Sequence, residues 1–399
     1  MNERNGPLKN IRVLDLSQTL AGPFATTILS DLGAEIIKIE KPNYGDQTRH
    51  FSPYQNGESH YFLSINRNKK SVTIDLKGEK GKEVFWDLVK SSDVVIENFR
   101  PNVMEKLGFD NEEIKKVKPE IIICSISAFG RTGPLGENAG YDIAVQALSG
   151  LMSLTGEPNN PVRAGIPVAD LVGGLYGAIS ILGGIVEQQS TKKGLIIDLS
   201  LLDNMVSLLG YFSGKYFMTG EVPKAVGDGH PFIVPYGKYK AKNGYMVLAI
   251  YTEKFWERFT KAVDKLSWKE DQKFKNNENR IKNENLLNYE IEKILQERTL
   301  EEWSDIFSQH DVPHAPILDV EEILNYPQIK ARDMVKKVNH RKYGDIKYVG
   351  SPIKYQNEEL NNKTPPPLLG EHTEEVLSDI LGYNKESIKK VLEEINRGY

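Results

Sequence analysis

The sequence predicts a doubly wound α/β fold with a smaller domain inserted into the larger one. Short β-branched runs alternate with longer helical stretches over the first half, which argues for parallel βαβ units. Near Gly220 the composition changes: residues 223–234 are rich in glycine and proline, and a heavily charged stretch follows. Residues 1–200 are assigned to the large domain, 201–224 to a linker helix and 225–315 to a small α+β domain, with 316–399 as return linker and remainder of the large domain.

Taken in order, residues 11–16 read as a strand, 22–32 as a helix and 35–40 as the next strand. A strand over 72–76, a helix over 79–90 and a strand over 93–97 follow, then a helical stretch near 111–117 and a strand over 120–125. After Asp170 a helix runs to about Gln189, ahead of a strand at 195–199 and a helix from Leu201. Residues 237–250 read as a hairpin turning at Lys242-Asn243-Gly244, and 269–298 as a solvated helical surface. Pro313, Pro316 and Pro327 break the chain, and Pro365-Pro366-Pro367 marks a rigid turn before a last acidic helix.

Composition excludes several functions. With 51 basic and 55 acidic side chains the net charge is −4, so no nucleic-acid surface is indicated. The one cysteine, Cys124, lies in the apolar run Ile121-Ile122-Ile123-Cys124-Ser125-Ile126 and reads as an inert core thiol, not a disulfide or zinc ligand. His310 and His314 stand four apart, but Pro313 spoils a helical pair, and no metal is expected. The opening residues carry no apolar signal core. The stretch around Asp170 is long enough for a membrane span, yet Pro167, Asp170 and its glycines argue for a tightly packed helix. The expectation is a cytoplasmic globular protein with neither membrane nor nucleic acid as partner.

Ligands of such sheets sit beyond the carboxyl ends of the strands, here residues 15–23, 40–46, 98–101 and 127–133. No G-x-G-x-x-G or G-x-x-x-x-G-K-[ST] follows a strand, which argues against a dinucleotide dehydrogenase or a P-loop enzyme. The small residues of Ser17-Gln18-Thr19-Leu20-Ala21-Gly22-Pro23 let a ligand approach a helix N-terminus. Lys41, Lys69, Lys70, Lys77, Arg100 and Lys106 put cations near that rim, which suits a polyanion, although singly each reads as a surface charge. Asn98-Phe99-Arg100-Pro101 offers an amide, an aromatic face and a guanidinium after a strand. They serve either a base or phosphate, or an N-cap and a core phenylalanine.

Asp170 is the only charged residue between Arg163 and Glu187, in a run of apolar residues and glycines. A carboxylate there loses water on folding, which is costly without compensation. Pro167 before it and Leu171, Leu175, Ile179 and Leu182 after it place it at a helix start. One reading is an N-cap satisfying free amides. The other is a poorly hydrated carboxylate, kept ionised by helix amides, that attacks an activated acyl group.

Several passages match one family in order: Arg12-Val13-Leu14-Asp15-Leu16 with Leu20-Ala21-Gly22-Pro23, Ile37-Lys38-Ile39-Glu40 with Gly45-Asp46, and Asn66-Arg67-Asn68-Lys69-Lys70-Ser71. Glu97-Asn98-Phe99-Arg100-Pro101, Gly140-Tyr141-Asp142, Gly165-Ile166-Pro167-Val168-Ala169-Asp170 and Pro366-Pro367-Leu368-Leu369-Gly370-Glu371-His372-Thr373 continue the series. Over nearly its whole length the chain resembles the class III coenzyme A transferases, the group of formyl-CoA transferase and the carnitine CoA-transferases.

That resemblance implies a Rossmann-like large domain, a small domain and two chains interlocked as a homodimer. It implies acyl-CoA and a small carboxylic acid as substrates, with no tightly bound cofactor. Asp170 falls at the position of the nucleophile, which forms an aspartyl mixed anhydride and then an aspartyl-CoA thioester. Gln18, Thr19, Leu20 and Ala21 match the first CoA-lining loop; Ile74, Asp75, Leu76 and Lys77, and Asn98, Phe99 and Arg100, match further CoA contacts. Lys41 and Lys106 stand where relatives carry arginine, and Tyr141 matches a position near the thioester. Gly227-Asp228-Gly229-His230-Pro231 resembles a mobile covering loop, with His230 as a candidate supporting residue.

Two rivals remain at this point. The related α-methylacyl-CoA racemases use a histidine in a Gly-His-Asp motif, where this chain has Gly140-Tyr141-Asp142; a tyrosine, with a pKa of about 10, is a poor base. A non-catalytic CoA sensor keeps the binding loops but has no need of Asp170.

Overall fold

The structure, a computed structural model, describes residues 4–356, 360 and 363–397; residues 1–3 of the opening stretch lie outside them. Six strands form one sheet: β1 (Arg12–Asp15), β2 (Glu35–Glu40), β3 (Lys69–Thr73), β4 (Val94–Glu97), β5 (Ile122–Ser127) and β6 (Ile196–Ser200). Their spatial order is β6-β5-β4-β1-β2-β3, and every pairing is parallel. Chain direction across the sheet reverses between β1 and β4, which opens a crevice beyond their carboxyl ends.

The helices that cover the sheet are α1 (Ala21–Asp31), α2 (Glu79–Ser91), α3 (Asn111–Val117), α4 (Asp142–Leu148), α5 (Val168–Thr191) and α6 (Leu201–Ser207). Strand side chains alternate between two cores. Val13, Ile36, Val94, Ile96, Ile122 and Ile126 join Ala25, Leu29, Ile181 and Ile185 on the side of α1 and α5. Leu14, Ile37, Val95 and Ile123 join Val84, Phe85, Leu88 and Ile114 on the side of α2 and α3. Burial on both faces is why these strands read as continuous apolar runs. Cys124 is buried in the first core, where burial pushes its thiol pKa up.

The glycines of α5 have a packing reason. A Cβ on Gly174 would stand 2.7 Å from the Ala21 carbonyl oxygen, and one on Gly173 would stand 2.2 Å from the Leu201 Cδ2 methyl. The helix is long and apolar enough to cross a membrane, and 44% of its most apolar stretch is buried inside the protein.

The chain divides into two compact units. The first comprises Met1–Leu151, Ala164–Gly214 and Lys330–Tyr399; the second comprises Met152–Arg163 and Lys215–Ile329. In the second, β7 (Tyr236–Ala241), β8 (Gly244–Ala249) and β9 (His314–Pro316) make an antiparallel sheet over a core of Trp256, Phe259, Leu287, Ile291, Trp303 and Phe307. This unit runs past Pro316 because Ile317 still donates its amide to Tyr245. It also takes in residues 152–163, whose Gly156 carbonyl accepts the Gly227 amide. In place of one linker helix over 201–224 there are two, α6 and Tyr211–Thr219, parted at Gly210 with φ +52°. The strand expected at 72–76 instead spans β3, because Lys69 and Lys70 pair with Ile36 and Ile37 on the ladder. A closing helix, α7 (Lys385–Arg397), places Val391 in the core of α2.

Gly174→Ala is expected to cost about 1–3 kcal/mol in urea unfolding, because its methyl meets a backbone carbonyl that cannot step aside. Gly173→Ala is expected to cost less, since a rotamer change of Leu201 relieves the contact. Equal losses, or a larger one at Gly173, would contradict this packing.

Candidate active site

The loop after β1 is held from below by buried charges. Asp15, Lys38, Asp46 and Lys69 are all buried. Asp15 Oδ1 accepts the Ser17 amide at 2.9 Å and also the Ser17 hydroxyl, and Oδ2 accepts from Thr26 Oγ1 at 2.6 Å. Lys38 Nζ donates to the Ser17 carbonyl at 2.7 Å and pairs with Asp46 Oδ2 at 2.9 Å. Asp46 Oδ1 accepts the amides of Thr19 at 3.2 Å and Thr48 at 2.9 Å. From the far side of the crevice, Asn98 accepts the Gln18 amide and donates to the Gln18 carbonyl, both at 2.8 Å. Thr19 can therefore sit at φ +67°, a conformation that a β-branched residue adopts only when its surroundings impose it.

Electrostatics keep that network ionised. Burial raises the pKa of Asp15 and Asp46, but Lys38 acting together with Lys69, Ser17 and Thr26 on Asp15, and with the Thr48 hydrogen bonds on Asp46, outweighs it, and both are held below the usual carboxylate range. Lys38, for its part, is raised by Asp46 and Asp15 despite its burial. Lys69 Nζ donates to Pro23 O and Asn66 Oδ1, each at 2.9 Å, and burial lowers its pKa.

Above the loop lies a cavity of about 240 Å³, walled entirely by the first unit. Gln18, Thr19, Leu20 and Ala21 form one side; Asn98, Phe99 and Arg100 another; Asn138 to Tyr141, Leu201 and Asp170 complete it. Tyr141 is 73% exposed. Gln47, which sequence reasoning missed, also lines the cavity; it opens the turn Gln47–His50, capped by Asp46.

Asp170 is in the first turn of α5, but it is not the cap. Pro167 occupies that position without a side-chain bond, and Asp142 Oδ1 accepts the Ala169 amide at 2.8 Å. Among the described residues no hydrogen-bond donor reaches the Asp170 carboxylate. The expectation that helix amides lower its pKa is therefore corrected. Burial, with the nearby charge of Asp142, pushes Asp170 up to about 6. It is still mostly ionised at neutral pH. Tyr61, another residue the sequence did not single out, stands in the field of Asp170, and its pKa is pushed up to about 12 by burial and by that charge.

Other sequence-derived candidates lie elsewhere. Lys69 is an internal partner of Asp15, and Lys70 pairs with Glu35 and Glu375 at 3.0 Å each, so neither offers a cation to a ligand. Asn98 spends its amide on the Gln18 backbone. Lys41, Ile74, Asp75, Leu76, Lys77 and Lys106 do not line the cavity; Lys41 follows β2 and sits 5.8 Å from the Tyr44 ring, and residues 74–77 follow β3. Lys41, Lys77 and Lys106 are exposed. His230 belongs to the second unit, where its Nδ1 accepts the Phe232 amide at 3.2 Å. His310 and His314 each bond a backbone carbonyl, and no cluster of metal ligands exists among the described residues.

Comparison with known proteins converges on one family and one fold. The chain is 38% identical to mouse (Mus musculus) succinyl-CoA:glutarate CoA-transferase over 97% of this chain and 89% of that one. It is 36% identical to acetyl-CoA:oxalate CoA-transferase of Acetobacter aceti over 90% and 92% of the two chains. A solved CaiB/BaiF family protein from Brucella suis superposes with a TM-score of 0.87 at 33% identity, covering 94% of this chain and all of that one. The model of CoA-transferase family III matches residues 8–373, and the chain belongs to that family.

Proposed function

We propose that this CoA-transferase moves coenzyme A from an acyl-CoA donor to a small carboxylic acid through covalent intermediates on Asp170. The observation that carries this reading is the Asp170 carboxylate itself: partly buried on a cavity wall, without a hydrogen-bond donor among the described residues, and raised to about 6. Such a group is ionised at neutral pH yet poorly stabilised, which is what an oxygen nucleophile needs.

An Asp170 oxygen adds to the thioester carbonyl of the donor, the C–S bond breaks, and CoA leaves as its thiolate. That leaves an aspartyl–acyl anhydride. The thiolate then attacks the Asp170 carbonyl carbon, releasing the donor acid as its carboxylate and forming an aspartyl-CoA thioester. The acceptor carboxylate attacks that thioester, again expelling the thiolate, which finally takes the acceptor's acyl carbon and restores Asp170. Each step exchanges one acyl bond for another, so no oxidant or net proton is needed. Water must be kept from the anhydride, which the apolar surroundings of Leu20, Ala21 and Leu201 favour.

A cavity of about 240 Å³ takes the acyl end and the acid, not a whole CoA. The rest of the cofactor is assigned to the carboxyl ends of β2 and β3, where Lys41 and Ile74 to Lys77 lie. The related enzymes named for glutarate and oxalate, and Arg100 as the one basic side chain among the described residues that line the cavity, support a short dicarboxylic acid as acceptor. A homodimer is part of this reading. Leu175, Ile179 and Val186 on α5 are 46%, 60% and 68% exposed, an apolar stripe that a second chain would cover.

Intact-protein mass spectrometry with succinyl-CoA or acetyl-CoA, followed by glutarate or oxalate, tests the chemistry. An acyl or CoA adduct mapping to Asp170 is expected, and Asp170→Ala abolishes it; undiminished transfer in that variant would refute the mechanism. Deuterium uptake at the donor α-carbon would instead favour a racemase.

The pH dependence has a definite sign. Only the ionised carboxylate attacks, so adduct formation is level above neutrality and falls by about tenfold per unit once pH drops below about 6. Stability runs the other way. Because the folded pKa of about 6 exceeds the ordinary 3.8, ionising Asp170 costs stability that appears as pH rises from 3.8 to 6 and persists above it. Asp170→Asn is therefore expected to melt higher than the wild type at pH 8, with the gain shrinking toward pH 4. A gain that is absent at pH 8 would contradict the raised pKa.

A further inference from the structure

We propose that Asp142 is a positioning residue for the reaction at Asp170: it occupies the amide at the start of α5 and so presents Asp170 to the cavity with its carboxylate unshared. This rests on Asp170 being the nucleophile.

The geometry is a clamp. Asp142 is the first residue of α4, directly after Tyr141 on the cavity wall. Its Oδ1 accepts the Ala169 amide at 2.8 Å, and its Oδ2 accepts from Gln146 Nε2 at 2.6 Å. Gln146 is fully buried one turn further along α4, and its Oε1 accepts the Ala164 amide at 2.9 Å. One carboxylate and one carboxamide thus pin both ends of residues 164–169, the stretch that delivers Asp170. Pro167 at the cap position has no side-chain acceptor of its own, so the cap comes from another helix.

The chemical consequence follows from having two carboxylates at one helix start. An aspartate in the first turn ordinarily draws on free amides, which lowers its basicity. Here Asp142 takes that stabilisation together with the Gln146 amide. Asp170 receives none and sits in the repulsive field of Asp142. A carboxylate left more basic is the better nucleophile toward a thioester. The charge acting on Asp170 is that of Asp142 from α4, and Tyr61 from the helix His60–Ile65 stands in the field of Asp170. Tyr141, just before α4, and Arg100, from the loop after β4, line the same cavity, to which α1 and α6 contribute the uncharged Ala21 and Leu201.

Two variants separate the parts of the clamp. Asp142→Asn keeps an acceptor for the Ala169 amide and removes the charge; Asp142→Ala removes both. The Asp170 titration is read by carbon-13 NMR on protein labelled at the aspartate carboxyl carbon, with the resonance assigned by its loss in Asp170→Asn. In Asp142→Asn the Asp170 midpoint is expected to fall by more than about half a pH unit toward the ordinary carboxylate range. A role confined to folding would leave that midpoint unmoved, and an unmoved midpoint overturns the proposal. In Asp142→Ala, adduct formation at pH 8 is expected to slow by about tenfold or more at an unchanged half-saturating donor concentration, with Asp142→Asn closer to wild type. A wild-type rate in Asp142→Ala overturns it too. Should Asp142→Ala not fold, the Asn variant alone decides through its midpoint. If wild-type protein forms no adduct with any donor, the nucleophile reading fails, whatever the titration shows.

Discussion

The crevice of the candidate site depends on the ion pair between Lys38 and Asp46 beneath the loop after β1. Lys38 is fully buried, and it links Asp46 to Asp15 through the Ser17 backbone, so one cation fixes two carboxylates and a peptide group together. Removing one member of such a network strands a charge in the interior, at a cost of about 3–5 kcal/mol. In return the amides of residues 17, 18 and 19 are all engaged, and Thr19 is held in a backbone conformation it would not choose. A loop whose amides at residues 17, 18 and 19 are all engaged resists collapse into the cavity it borders, which is the use of so much buried charge.

A second buried network explains why distant motifs travel together. Arg49 pairs with Glu40 and Glu58 and donates to the Pro367 carbonyl at 3.2 Å, while the Ser71 amide bonds His372 Nδ1 at 3.3 Å. The Pro366-to-Thr373 motif is thus a clasp on β2 and β3, not a contributor to the cavity. It meets the first network through Asp46, whose amide donates to Glu40 at 2.9 Å and whose side chain caps the turn carrying Gln47.

The strand and helix alternation was legible because strands buried on both faces must be apolar throughout, and the helices over them must show a 3.6-residue stripe. Asp170 was legible because a lone charge among glycines and leucines has few explanations. What failed was the reading of charge. Lys69 and Lys70 look like rim cations in one dimension, and β3 was placed too late for the same reason: only tertiary pairing tells that Lys69 and Asp15 are inside. Gln47 and Tyr61 carried no signal at all, since one reaches the cavity from a short turn and the other reaches Asp170 from a six-residue helix, neither with a motif of its own. Asp142 was visible in Gly140-Tyr141-Asp142, but its work as the cap of a helix 26 positions downstream was not.

Burial alone does not decide what a carboxylate in this protein can do. Asp15, Asp46 and Asp170 all lose water on folding, yet the first two are held low and the third is raised. The difference is the partner. Asp15 and Asp46 share Lys38, whereas the charge nearest Asp170 is another carboxylate, Asp142, already satisfied by an amide and by Gln146. Placing the cations under the loop and leaving the helix start without one divides the crevice into an inert, ionised floor and one basic carboxylate on the wall. Moving Lys38 to the side of Asp170 would balance the charges better and destroy that division, because a paired Asp170 would be a stable anion without the raised basicity on which its proposed role rests.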